Sequence, residues 1–190
     1  AVAAVDANTA EEALDLIEVD YEVLEPVMDV RRAMEDDAPL LHENQETQSL
    51  GESTGKKSNT STHFQHKLGD VEKGFAEADI VIEREFDTAT VHQGYIEPHA
   101  CTVRYDEDGQ SMIWCSTQGH FDVRGTTANL LKLEHSNLKV VASEIGGGFG
   151  GKTVVYIEPV ALILSKKAGR PVKIQMDRDE VFKASGPGSA

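Results

Sequence analysis

Cysteine is scarce: Cys101 and Cys115 are the only two in a chain of 190 residues. Two thiols this far apart lack the spacing of a zinc or iron–sulfur site, and they cannot make the disulfide framework of a small secreted domain. Both lie in apolar, strand-like runs, where a free cysteine behaves as a small hydrophobe. They are expected in the core, not as catalytic thiols. Long hydrophobic runs are missing as well. The longest strongly apolar stretch, Val160–Leu164, is far too short to cross a membrane, and no charged segment precedes an apolar one as in a secretory signal. Basic residues are in deficit, 18 Lys and Arg against 33 Asp and Glu, for a net charge of -15. Such a surface repels nucleic acid and anionic membranes. A reducing, cytoplasmic setting is the expectation. The chain opens without Met, on Ala1-Val-Ala-Ala-Val5, and this reads as an excised or processed fragment.

Hydrophobic periodicity divides the chain into three parts. In residues 1–34, Ala1–Val5 reads as the tail of a buried strand, and Thr9-Ala-Glu-Glu12 as a capping box with Thr9 as the cap. Ala10, Ala13, Leu14 and Ile17 then follow helical spacing; Val19, Tyr21 and Val23 alternate as a strand that Pro26 stops. One helix and two strands cannot close a core, so this looks like the end of a domain. Residues 35–69 are polar and predict a linker or long surface loop, with His42, His63 and His66 solvated and not metal-bound. Residues 70–190 predict a second domain. It comprises a helix over Val71–Ala78, a strand over Ile80–Phe86, and a hairpin of Cys101–Tyr105 and Ser111–Cys115 turning at Asp106-Glu-Asp-Gly109. A helix over Phe121–Leu133, a strand over Leu138–Ile145, a glycine loop, a helix from Val154 to Ala168 ended by Gly169, and a strand over Arg170–Met176 follow. This order indicates an α+β or mixed α/β fold.

Gly146-Gly-Gly-Phe-Gly-Gly-Lys-Thr153 is the most informative segment, with five glycines in six positions. Glycine admits positive φ and removes side chains that would keep a ligand from the backbone. A strand leads in and a helix leads out, so backbone N–H groups and the helix N-terminus could face an anion or an oxo group. The letters also satisfy the P-loop pattern through Gly146, Gly151, Lys152 and Thr153, with Lys152 for the β/γ-phosphates and Thr153 for Mg²⁺. That alternative, a nucleotide-binding protein, lacks its second element. No apolar strand after Thr153 ends in Asp; Val172-Lys-Ile-Gln-Met176 runs into Asp177 but alternates with polar residues.

The glycine loop, together with Trp114-Cys-Ser-Thr-Gln-Gly119 upstream, resembles the molybdenum hydroxylases of the xanthine dehydrogenase and aldehyde oxidase type. Ile17-Glu-Val-Asp-Tyr-Glu-Val-Leu24 resembles the strand that closes their α/β-hammerhead domain. Gly69-Asp-Val-Glu-Lys-Gly-Phe-Ala-Glu-Ala-Asp79 resembles the start of their first molybdopterin-binding domain, and His92-Gln-Gly-Tyr-Ile-Glu-Pro98 and Gly169-Arg-Pro-Val172 are also similar. The resemblance implies oxidative hydroxylation of an electron-poor carbon on molybdenum–molybdopterin, with or without a cytosine dinucleotide tail. Electrons would leave through [2Fe–2S] clusters to FAD on other domains or subunits of an oligomer. It implies that Gln118 and Phe149 lie beside the metal, and that Gly148, Phe149, Gly150 and Gly151 hold the cofactor. Thr153 stands in the substrate pocket where purine-hydroxylating members carry Glu, which points to an aldehyde or an N-heterocyclic or aromatic substrate. The family's general-base Glu has no counterpart here, so Glu97, Glu144 and Glu158 are not assigned that role, and Glu97 is expected to be structural or at the pocket edge. The chain by itself is expected to be inactive. A third class, a non-catalytic assembly module that kept the fold, stays open on sequence.

Titration of the chain with Mg-ATP in a calorimeter is expected to show no saturable binding. Micromolar binding that disappears in Lys152→Ala would establish the nucleotide reading instead.

Overall fold

The computed structural model describes residues 1–186. They form two compact units, one of Val19–Glu85, the other of Ala1–Glu18 with the described residues from Phe86 onward. In chain order the elements are α1 (Ala7–Leu14), α2 (Val30–Ala33), β1 (Glu46–Ser49), β2 (Glu52–Lys57), β3 (Thr62–His63), α3 (Val71–Glu77), β4 (Ala100–Arg104), β5 (Ser111–Cys115), α4 (His120–Leu131), β6 (Leu138–Ala142), α5 (Glu158–Ala168), β7 (Val172–Gln175) and α6 (Arg178–Ala184). The mixed α/β class expected from the sequence is what forms.

Helix α1 is capped by Asp6, not by Thr9. Asp6 has the extended backbone a cap requires, and its carboxylate accepts from Thr9 N at 2.8 Å. That hydrogen bond holds the Asp6 carboxyl below its usual range. A carboxylate at a helix N-terminus also meets the positive end of the dipole, which a threonine hydroxyl does not exploit. The expected strands at Ala1–Val5, Val19–Val23 and Ile80–Phe86 do not form. No strand pairs with any of them among the described residues, and Val5, Val19, Tyr21, Val23, Ile80, Ile82 and Phe86 stay exposed. Alternating apolar residues become a strand only beside a partner that satisfies the backbone.

The polar stretch 35–69, expected to be a linker or long surface loop, folds into a sheet. It carries a three-stranded sheet in the order β2-β1-β3, with β1 antiparallel to β2 and parallel to β3. Hydroxyls and one amide hold it, which is why apolar periodicity does not reveal it. Thr47 Oγ1 lies 2.7 Å from Ser58 Oγ and donates to Thr60 O at 2.8 Å. Asn59 donates to Ala33 O (3.1 Å) and Pro39 O (2.9 Å) and accepts from Leu41 N (2.8 Å). His63 pairs with Ser49 Oγ at 3.2 Å, and no acidic, histidine or cysteine cluster fit for a metal exists among the described residues. Asp70 caps α3 through Lys73 N.

The second unit is built on a four-stranded sheet in the order β6-β5-β4-β7. The predicted hairpin is present, with Cys101 opposite Cys115 and Val103 opposite Ile113. Ser111 closes its turn by accepting from Asp106 N at 3.0 Å. β6 joins β5 in parallel through the α4 crossover, and β7 joins β4 antiparallel. Every second residue points to one face, as a pleated strand requires: Cys101, Val103, Ile113, Cys115, Leu138 and Val140 are buried there. They pack in one cluster with Val123 and Ala128 of α4 and Ala161 and Leu162 of α5. α5 starts at Glu158, later than the sequence suggests, with Pro159 in its first turn, and it ends at Gly169 in the left-handed conformation. Buried Ser165 accepts from Tyr105 N (3.0 Å) and donates to Arg170 O (2.7 Å), so α5 and the turn after it share one anchor. The last helix, α6, was not apparent from periodicity; Asp177 and Glu180 form its capping box.

Ile113 is fully buried at the centre of this sheet. Ile113→Ala should lower unfolding free energy by ~2–5 kcal/mol through lost burial and a cavity, whereas Phe121→Ala, at a 71%-exposed position, should change it by no more than ~0.5 kcal/mol. Chemical denaturation of the two variants provides the measurement.

Candidate functional site

The strand directions bring three segments to one edge of the four-stranded sheet. β5 and β6 run parallel, so Ser116–Gln118 and Ser143–Gly151 leave at the same end; β4 runs the other way, so Gln93–His99 arrives there. Ser143 N donates to Cys115 O and Ser116 N to Ala100 O, which extends the ladder toward the loop.

The glycine loop folds onto Gln118. The Gln118 amide oxygen accepts from Gly150 N at 3.1 Å and from Lys152 N at 3.3 Å, while Gln118 N donates to Lys152 O at 2.8 Å. Thr117 Oγ1 donates to the same carbonyl at 3.0 Å. Two N–H donors fix which end of the amide is oxygen. Gln118 is exposed, and its amide nitrogen has no partner among the described residues. Gly151 N donates to Gly148 O at 2.7 Å, and Thr153 Oγ1 to Gly150 O at 3.1 Å. Thus Gln118, Gly148, Phe149, Gly150, Gly151 and Thr153, singled out from sequence, are brought together.

The loop glycines have different jobs. A Cβ on Gly148 would lie 2.4 Å from Gln118 Oε1, and one on Gly151 would lie 2.7 Å from Tyr95 Cε1. The close approach they permit is to the protein's own side chains. Gly150 has open space around it but φ of +88°, which a side chain rarely adopts. Phe149 holds φ of 50°, an uncommon conformation for a bulky residue, and the residue is 74% exposed.

Lys152 turns inward. Its side chain is completely buried and its Nζ lies 2.7 Å from Glu97 Oε2 and 4.9 Å from the centre of the Tyr95 ring. The same Glu97 oxygen accepts from Gly146 N at 2.8 Å. Burial raises the Glu97 carboxyl, but Lys152 and the Gly146 amide together outweigh it, and the group sits below its usual range. This arrangement overturns the nucleotide alternative. The lysine is committed to a carboxylate, the Thr153 hydroxyl to a carbonyl, and α5 begins only at Glu158, so the loop does not open onto a helix N-terminus.

Behind the loop lies a polar network that sequence reasoning missed. The Tyr95 hydroxyl lies 2.7 Å from His99 Nε2 and 2.9 Å from Ser185 Oγ, and His92 Nε2 lies 3.0 Å from the same serine oxygen. Arg178 of α6 donates to Tyr95 O at 2.9 Å and to Ile96 O. The concentration of His, Gln, Tyr and Glu in His92-Gln-Gly-Tyr-Ile-Glu-Pro-His99 was the available signal; its partners come from α6, some eighty residues later. Gln93 Oε1, beside Gly151, is buried without a partner. Cys101 and Cys115 are core residues as expected. Burial raises both thiols, Cys115 to about 12, which leaves no thiolate for chemistry near neutral pH.

Residues 53–190 match the family model of the molybdopterin cofactor-binding domain, and the chain belongs to that family. It is 34% identical to a "probable hypoxanthine oxidase" of Escherichia coli O157:H7, over 97% of this chain and 22% of that protein. It is 33% identical to the nicotinate dehydrogenase large molybdopterin subunit of Eubacterium barkeri, over 94% of this chain and 39% of that subunit. Among solved structures, a Cu,Mo-CO dehydrogenase superposes with a TM-score of 0.75 at 33% identity, covering 93% of this chain and 23% of that one. The aldehyde oxidoreductase of Desulfovibrio gigas shares the fold, with a TM-score of 0.77 at 22% identity, over 95% of this chain and 19% of that one. The chain therefore spans well under half the length of these relatives.

His99 is 2% exposed. Burial first, then the positive charges of Lys152 and His92, lower its pKa to about 4. The unfolded chain takes up this proton near pH 6.5, and the folded chain does so only near pH 4. Stability from this group is complete above pH 6.5 and declines as pH falls toward 4. Denaturation midpoints measured across that window should fall less steeply in His99→Gln than in the unmodified chain; parallel curves would contradict the assignment.

Proposed function

We propose that this chain is part of the large, molybdopterin-binding subunit of a molybdenum-dependent oxidoreductase that hydroxylates an aldehyde or an N-heterocyclic or aromatic substrate. The carrying observation is the pairing of the exposed Gln118 with the glycine loop, which occupies the amide oxygen and leaves the amide nitrogen a donor without a partner among the described residues. The residues fit such a cofactor. A Cβ on Gly150 would meet nothing within 4 Å, Phe149 is exposed, and Gln93 keeps an unpaired buried oxygen beside the loop. A bound molybdenum–molybdopterin group would supply oxygen insertion and accept the two electrons removed from substrate. Gln118 would donate to an oxygen ligand without adding charge. The Phe149-Gly150 backbone would lie against the cofactor, the Phe149 ring would exclude water, and Gly148 and Gly151 would keep the loop low enough for contact.

On this reading residues 1–34 close a hammerhead domain, 35–69 connect it to the next, and 70–190 begin the first molybdopterin-binding domain. The remaining large-subunit domains would complete the pocket and bring the general base. Iron–sulfur and FAD domains or subunits would carry electrons away within a cytoplasmic oligomer, and the pterin would carry or lack a cytosine dinucleotide tail. No helix among the described residues is long and apolar enough to cross a membrane. Thr153 would stand in the substrate pocket, and its hydroxyl is already given to Gly150 O. It offers no carboxylate to a purine, and a site lacking such a partner discriminates against that substrate.

The test is made in the full-length protein that carries this chain. Molybdenum should be present by mass spectrometry, with dye reduction faster on aldehydes or N-heterocycles than on xanthine. Gln118→Ala should lower kcat by ~10–100-fold, the equivalent of one hydrogen bond to a charged group at ~1.5–3 kcal/mol, while most of the metal stays bound. Unchanged turnover would sink the assignment of Gln118, and the chain alone should show no turnover.

A further inference from the structure

We infer that Glu97 is a positioning residue for the cofactor loop: its Oε2, shared between Gly146 N and the buried Lys152 ammonium, ties the two ends of the loop and so sets where the Gln118 amide points. The most direct connection runs through Lys152. Its side chain reaches Glu97, at 2.7 Å, and its backbone makes two of the hydrogen bonds of Gln118, at 2.8 and 3.3 Å. The other end of the loop is joined to Glu97 twice, by Gly146 N to Oε2 at 2.8 Å and by Glu97 N to Gly146 O at 3.3 Å. The contact is too close for any side chain at Gly146, whose Cβ would lie 2.7 Å from Glu97 Cβ. Lys152 cannot shift its backbone and leave its ammonium in place, because the side chain is completely buried and its other close neighbour is the face of Tyr95. Without the carboxylate, the ammonium would be left unpaired in the interior. It would leave for water and draw the backbone that orients Gln118 with it. Glu97 itself is one-third exposed, so it is reached by solvent while its partner is not. It touches neither substrate nor cofactor in this role and acts through Lys152.

This inference rests on the proposed cofactor function for its consequence in turnover, but the tie itself is measurable without any cofactor. In full-length protein from molybdenum-starved cells, hydrogen-exchange mass spectrometry should show the peptide spanning Gly146–Thr153 exchanging ~10-fold faster in Glu97→Gln, the equivalent of a local opening eased by ~1.4 kcal/mol. Peptides from β4 and α5 should be unchanged. In molybdenum-replete protein, the same variant should lose ~10-fold or more in kcat, as a misplaced site residue does, with KM and metal content within about twofold of the unmodified protein. Lys152→Met, which removes the buried cation without stranding it, should give the same loop-specific signature and guards against a Glu97 variant that fails to fold. Loop exchange unchanged in both variants, or exchange raised equally throughout β4 and α5, would overturn the inference. Absence of molybdenum from the unmodified full-length protein would overturn the proposed function, while the exchange measurement would still decide the role of Glu97.

Discussion

An ammonium group buried in a protein needs an anion beside it, and the Lys152–Glu97 pair is where this fold meets that requirement. Both ends of the glycine loop, the Gln118 amide and the face of Tyr95 are arranged around that one contact. Removing the carboxylate would strand the fully buried ammonium, which typically costs ~3–5 kcal/mol in a fully buried pair and less here because Glu97 is one-third exposed. The loop is therefore held by a stiff constraint although nearly all its residues are glycine. A loop with little side-chain packing would otherwise sample many conformations and present its backbone to a ligand in none of them for long.

The glycines follow from this anchoring. Gly146 lies against Glu97, Gly148 against Gln118 and Gly151 against Tyr95, each closer than a Cβ allows, while Gly150 meets a dihedral demand in open space. Crowding on the inner side and room on the outer side give the loop a protected face and an available one. The available face carries the exposed Phe149, next to the Gly150 N that donates to the Gln118 amide oxygen. The His92–Ser185–Tyr95–His99 network fills the space beneath with hydrogen-bonded groups, and the neutral His99 avoids placing a second cation beside Lys152.

Much of the fold was legible because it depends on local patterns. The β4–β5 hairpin, α3, the α4 crossover, β6 and β7 all sit where alternation, helical spacing and turn residues indicate, and Gly169 ends α5 in the left-handed conformation. The failures share one physical origin. Ala1–Val5, Val19–Val23 and Ile80–Phe86 alternate properly but have no partner strand among the described residues, whereas Glu46–His63 forms a sheet with almost no apolar residues because Thr47, Ser58 and Asn59 supply its contacts. Strand formation is a pairwise property that single-segment periodicity does not contain. The cap of α1 went to Asp6 because a cap is selected by backbone geometry as well as residue type.

For the site, the sequence alone determined the glycine loop, the neutral glutamine upstream of it and the family they resemble, because these are contiguous motifs whose residue types carry their own chemistry. It also determined that the two cysteines would lie in the core, since apolar neighbours on alternating positions bury them. It did not determine which way Lys152 points. The same eight letters from Gly146 to Thr153 fit a phosphate-binding loop, and the choice lay with Glu97, more than fifty residues away, brought alongside by the antiparallel pairing of β4 with β5 and the parallel pairing of β5 with β6. Nor did it determine the support behind the loop, which comes from Arg178 and Ser185 on or just after α6. A charge finds its partner through the register of strands and the docking of helices, and these distances exist only once the chain has folded.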